Sequence, residues 1–177
     1  MADSRTKRKQ AIRPDTTSDP RIRAFCALFE AEFGHCPAAS ALERSLASAP
    51  LADEAQARAG ELIAGVEFNR AELDELIVTT AARRPLNQMA LVDLTVLRIA
   101  LWEMLFNNGR VRPNTAVRQA VELAKRFGGD GSRRLVSGVL GTISRTHLVA
   151  DASSASEPAA AAVAASEGET SRDDQLD

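Results

Sequence analysis

The stretch Met89 to Phe106 constrains the fold more than any other part of this 177-residue chain. Ala90, Leu94, Leu97, Leu101, Met104 and Leu105 fall on one side of a helix, and Leu91, Val92, Ile99 and Trp102 fall elsewhere, so the segment is apolar nearly all round. A helix of that kind either spans a membrane or forms the middle of a packed domain. Asp93, Arg98 and Glu103 interrupt it too often for a bilayer core, which needs about twenty predominantly apolar residues. It is therefore expected to be the central, most buried helix of a soluble domain. The basic N-terminus lacks the apolar run of a signal peptide, so the expected location is cytoplasmic. Arg98 and Glu103 need partners, because an unpaired charge in such a place is costly. They read as structural ion pairs or as side chains snorkelling at the edge of the core, with contact to a partner protein as the alternative.

Helical periodicity continues on both sides. Asp19 and Pro20 read as the N-cap and first position of a helix with Ile22, Phe25, Phe29 and Phe33 on one face, ending at Gly34. A weaker segment, Ser40 to Ser48, carries Ala41, Leu42 and Leu46. One long helix is expected from Asp53 to Thr79, with Leu62, Ile63, Val66, Leu73, Leu76 and Ile77, closed by Arg83, Arg84 and Pro85. After a loop marked by Asn107, Asn108, Gly109 and Pro113, Val117, Ala120, Val121 and Ala124 face one way until Gly128 and Gly129. Ser132 is expected to cap a last helix with Leu135, Val136, Val139, Leu140 and Ile143 inward. No alternating strand pattern competes, so the fold class is all-α, a compact helical domain over residues 19–149. Residues 1–18 and 150–177 bury too little apolar surface to offset chain ordering, and both are expected to be disordered tails.

The net charge of −2 hides four blocks of alternating sign. Residues 1–23 hold seven basic and three acidic side chains (+4), and residues 24–109 hold six and twelve (−6). Residues 110–149 hold eight and two (+6), and residues 150–177 hold one and seven (−6). Two clustered basic blocks suggest a polyanion partner, most often nucleic acid, because the local potential acts and not the average. The competing reading is two solvated faces. The acidic tail could compete with such a polyanion for the basic face.

Catalytic signals are weak. His35 and His147 are isolated, without partners at metal or triad spacing, and no cofactor or metal site is expected. Cys26 and Cys36 match neither Cys-x-x-Cys nor a zinc pattern and read as reduced and structural. Glu67, Glu72, Asp74 and Glu75 look like a solvated helix face. The Gly-Gly-Asp-Gly-Ser segment before Arg133 and Arg134 resembles a helix-turn-helix corner, but Ser137, Gly138, Gly141 and Thr142 offer little to read base edges. The same segment could hold a phosphate at a helix start, although it is not a Walker loop.

The strings VLRIALWEML, a loop with Pro113, AVELAKRFGG and LVSGVLGTI, in that order, resemble the bacterial transcription antitermination factor NusB family. AGELIAGVEFNRAELDELI is similar to that family's long third helix and RAFCALFEAEF to its first, so the resemblance covers roughly residues 20–145. It implies two small helical bundles, no catalytic activity, and binding of boxA RNA together with NusE, the small-subunit ribosomal protein that doubles as a transcription factor. It further implies entry into the RNA polymerase antitermination complex on ribosomal RNA operons, and homodimers in some members. A ribosomal RNA methyltransferase with a related N-terminal domain is not expected, because these 177 residues hold no cofactor-binding glycine loop or catalytic cysteine region.

By position, the resemblance assigns RNA binding to Arg21 and Arg23 at the first helix and to Arg133 and Arg134 before the last motif. Lys7, Arg8 and Lys9 would add salt-sensitive attraction. Guanidinium groups suit single-stranded RNA because they pair with phosphates and stack on bases. The family's usual arginine run before the first helix is Ser18, Asp19 and Pro20 here, with the cations displaced to Lys7, Arg8, Lys9 and Arg13. Its usual aromatic in the last motif is Leu135, its Asn is Ser137, and its Asn-Glu pair is Arg118 and Gln119. Loss of the aromatic removes a stacking platform. The alternatives are a helical protein-interaction scaffold with weak RNA binding, and a helix-turn-helix DNA-binding protein.

Overall fold

The computed structural model describes residues 18–81 and 85–154. Among these described residues seven α-helices follow one another: α1 Pro20–Gly34, α2 Ala38–Ser48, α3 Asp53–Phe68, α4 Arg70–Thr80, α5 Leu91–Leu105, α6 Pro113–Phe127 and α7 Ser132–Ser154, with one 3-10 turn at Leu86–Gln88. The described residues contain no strand, and the all-α expectation is met. Residues 1–17 and 155–177, and with them Lys7, Arg8, Lys9 and nearly all of both expected tails, lie outside the described residues. Helix α7 is continuous through Ser154, past the expected boundary at 149.

α5 is the axis of the molecule. Every residue from Asp93 to Met104 is buried, and α1, α3, α4, α6 and α7 all pack against it. On one side α1 packs on α2 and α3, and on the other α6 packs on α7, so α5 is shared by two small bundles. Gly65 of α3 lies so close to α5 that a Cβ there would meet the Trp102 indole at 2.0 Å. No other residue fits that crossing without a shift.

Two of the three charges of α5, Arg98 and Glu103, are structural, and each is held by two neighbouring helices, whereas the buried Asp93 has one carboxylate oxygen that no described group hydrogen-bonds. Arg98 donates from Nε and Nη2 to Asp74 of α4, at 2.7 and 2.8 Å, and from Nη1 to Glu32 of α1 at 3.0 Å. Glu103, 1% exposed, accepts from Arg21 of α1 and Arg58 of α3. Hydrogen-bonded pairing of this kind offsets the desolvation that burial imposes. It also fixes the rotation of α1, α3 and α4 about the axis. Asp74 therefore belongs to the interior framework and not to a solvated face.

Two further expectations need correction. The single helix over 53–79 is broken at Asn69, whose backbone N–H and side-chain amide both donate to the Gly65 carbonyl, at 3.1 and 2.8 Å. Its own carbonyl accepts from Leu73 N–H at 3.0 Å, so it closes α3 and opens α4. A short polar side chain that bonds nearby backbone competes with a continuous helix. Phe33, placed on the inward stripe of α1, is 79% exposed and touches the stripe only by stacking on Phe29 at 6.4 Å.

Candidate nucleic-acid interface

The start of α1 follows from its sequence. Asp19 accepts the Arg21 N–H at 2.9 Å and Pro20 sits in the first turn, where its missing N–H costs nothing. Arg21 then reaches Glu103 through Nε and Nη2, at 2.8 and 2.6 Å, with its side chain 13% exposed. Arg23 does not join it. Its side chain is buried and donates to the carbonyl and hydroxyl of Ser45 and to the Ala49 carbonyl, tying α1 to the end of α2. The expected pairing of Arg21 and Arg23 on one RNA-facing surface fails for a geometric reason: residues two apart on a helix point to nearly opposite sides.

The other basic region is a sharp corner between α6 and α7. Gly128 donates its N–H to the Ala124 carbonyl at 2.9 Å, and a Cβ on it would lie 2.4 Å from both that carbonyl and the Ser132 Cβ. Ser132, buried at the first position of α7, accepts the Gly129 N–H on its hydroxyl at 2.9 Å, while Leu135 N–H bonds the Gly131 carbonyl. Gly131, at φ 98, supplies the backbone that the turn requires. Ser132 thus braces the corner from within. Its hydroxyl does not face outward as an anion ligand would need to.

Arg133 and Arg134 are exposed at this corner, and no described residue pairs with either. Lys125 and Arg126, which the sequence reading passed over, occupy the last turn of α6 just before it. Arg126 lies over the Phe127 ring, 5.1 Å from its centroid, and Phe127 stacks on Phe25 of α1 at 4.8 Å. That stack seats the end of α6 against α1, one turn along from Arg21. The signal for Lys125 and Arg126 was present in the basic block and in their position at a helix C-terminus, where cations are favoured. Arg112 and Arg118 are also exposed. Lys125, paired with Glu122 at 3.7 Å, and Arg126, over its aromatic ring, thus flank one side of the corner, and Arg133 and Arg134 the other.

A second charged array runs from Arg21 through the interior. Arg58 bonds Glu103 at 2.9 Å and Glu61 at 2.7 Å, Arg110 bonds Glu61 at 2.8 Å, and Arg58 lies 5.6 Å from the Trp102 centroid. The Arg58 hydrogen bond holds the Glu61 carboxyl below the ordinary carboxylate range, partial burial opposes it, and the charges of Arg58 and Arg110 reinforce it. The described residues contain no group of His, Cys, Asp and Glu that could hold a metal ion. His35 is exposed in a left-handed conformation at the end of α1, and the His147 side chain lies outside the described residues.

The NusB family model matches residues 18–145. The chain belongs to the NusB family. It is 42% identical over 129 residues to the transcription antitermination protein NusB of Chloroflexus aggregans, covering 72% of this chain and 86% of that protein. It is 33% identical over 162 residues to the protein of the same name from Deinococcus deserti, covering 86% and 95%. Among solved structures, T. maritima NusB superimposes with a TM-score of 0.67 at 32% identity, over 72% of this chain and 89% of that one. A complex of the antitermination factors NusB and NusE with double-stranded RNA matches with a TM-score of 0.65, over 73% and 96%. At 18% identity, that last likeness bears on the fold alone. No helix among the described residues is long and apolar enough to cross a membrane.

Proposed function

We propose that this NusB-family chain is an RNA-binding transcription antitermination factor, acting in the cytoplasm by binding and without a catalytic step. It binds boxA-type single-stranded RNA together with NusE, joins the RNA polymerase antitermination complex and supports transcription of ribosomal RNA operons. The observation that carries the reading is the α6–α7 corner, where Arg133 and Arg134 stand exposed and without a described partner. Relatives named as transcription antitermination proteins support it.

The RNA face has its centre at Arg133 and Arg134, with Lys125 and Arg126 beside them. Arg21 contributes at the edge, through the guanidinium nitrogen that Glu103 does not hold. Arg23 is left out of the contacting set because it is buried. Lys7, Arg8 and Lys9 add long-range attraction that salt screens. Guanidinium stacking takes the place of the aromatic that Leu135 lacks.

Anisotropy of a labelled boxA RNA, titrated with the full chain with and without NusE, tests this. Binding should strengthen with NusE and fall by at least about tenfold in Arg133→Glu/Arg134→Glu. Unchanged affinity in that variant would remove the site. Tighter binding to duplex DNA than to the RNA at equal salt would replace the reading with the DNA-binding alternative.

A further inference from the structure

Helices α2 and α3 line an open groove of about 540 Å³ that lies outside the basic face. Its floor is Leu42 and Leu46 of α2 with Ile63 of α3. Its α3 wall is built from small residues, Ala57, Gly60 and Ala64, and a Cβ added at Gly60 would meet nothing within 4 Å. Small side chains at this spacing let another helix approach towards the short end of the usual interaxial range of about 8–10 Å. Phe68 follows Ala64 by one turn on the same side of α3 and is 90% exposed. An exposed aromatic at the end of an apolar groove is the kind of residue that anchors protein interfaces.

The rim fixes the chemistry of the occupant. Glu43, Asp53 and Glu67 line it, all exposed and none held by a described cation, and no Lys, Arg or His lines the groove. Such a rim repels phosphate, so RNA is disfavoured here. The chain's own basic residues 1–17 carry only Met1 and Ile12 as large apolar side chains, too few to cover the floor.

We infer that the α2–α3 groove is a docking site for a basic amphipathic helix of a protein partner. An apolar row at helical spacing lies on Leu42, Leu46 and Ile63, and flanking Lys or Arg side chains meet Glu43 and Glu67. The inference is independent of RNA binding at the α6–α7 corner.

The probe is a labelled synthetic helix of about 16 residues with leucines at helical spacing flanked by lysines, beside a twin in which glutamates replace the lysines. Anisotropy with the full chain should show saturable binding of the lysine peptide, at least about tenfold tighter than its twin. Gly60→Leu, which fills the groove, and Glu43→Lys/Glu67→Lys, which reverses its rim, should each weaken that binding by about tenfold or more, and the rim variant should gain affinity for the glutamate twin. Equal binding of both peptides, no saturable binding, or binding unchanged by the rim variant would overturn the inference. Because Glu43 and Glu67 are exposed, the rim variant decides the matter even if Gly60→Leu does not fold. Self-association of the chain that Gly60→Leu abolishes would assign the groove to a second copy and equally overturn it.

Discussion

Arg21 and Glu103 lie 82 residues apart in the chain, yet Arg21 grips both carboxylate oxygens of Glu103, at 2.8 and 2.6 Å. The pair closes α1 onto the central helix, and Arg58 completes it from α3. Removing the carboxylate strips the largely buried Arg21 of its counter-charge and leaves Arg58 with Glu61 and Asn107 alone. Glu103→Ala is expected to cost about 3–5 kcal/mol of folding stability, the range for breaking one side of a buried ion pair. Urea unfolding should show a lower midpoint with an unchanged slope; a midpoint within error of the parent would mean that the pair carries no stability.

Arg21 and Arg23 look alike in the sequence and differ in their surroundings, and so they should differ in assay. Arg23→Met removes internal donors to Ser45 and Ala49 and should lower the melting temperature while leaving the salt dependence of RNA binding intact. Arg133→Ala should do the reverse, reducing the logarithmic salt slope by about 0.7, the value for one phosphate contact on a single strand. A slope unchanged by Arg133→Ala, or lowered by Arg23→Met, would reverse these assignments.

The contrast marks what the sequence could reveal. The axial helix, the Asp19–Pro20 start of α1 and the Gly-rich corner were legible because each follows from local pattern, namely apolar content, cap chemistry and turn residues. The break at Asn69 was not, since apolar spacing runs on through it and the competing bond is the one its side-chain amide makes to the Gly65 carbonyl. Partners of Arg98 and Glu103 were not legible either, because Asp74, Glu32, Arg21 and Arg58 are long-range neighbours. In the candidate site, charge arithmetic located Arg133 and Arg134, whereas the burial of Arg23 depended on where α2 packs.

Gly65 offers a test of the α3–α5 crossing. Alanine is favoured over glycine in a helix by about 1 kcal/mol, so an unconstrained site would gain stability. Here the new methyl would meet the Trp102 indole at 2.0 Å, and overpacking of this kind costs about 1–3 kcal/mol. Gly65→Ala should therefore be destabilised overall, with a shifted Trp102 emission spectrum. Because Trp102 is the only tryptophan, the spectrum reports on the surroundings of this one ring. A stabilised variant with unchanged emission would show that the helices separate without cost.

The bridge at Glu61 should give folding a defined acid dependence. The Arg58 hydrogen bond, with the charges of Arg58 and Arg110, holds this carboxyl below the ordinary glutamate value that the unfolded chain approaches. A group whose pKa is depressed on folding contributes stability that is present above the unfolded pKa and is lost as pH falls through the folded one. Glu61→Gln has no proton to lose there. Its melting temperature should lie below the parent's at neutral pH, and the gap should narrow as the pH is lowered through the carboxylate range. High salt at neutral pH should narrow the gap too, since the bridge to Arg110 is partly exposed and screened. Melting curves of the two proteins taken across that pH range check the prediction, and a gap that stays constant down to the acid end would mean that Glu61 is not held by Arg58 and Arg110.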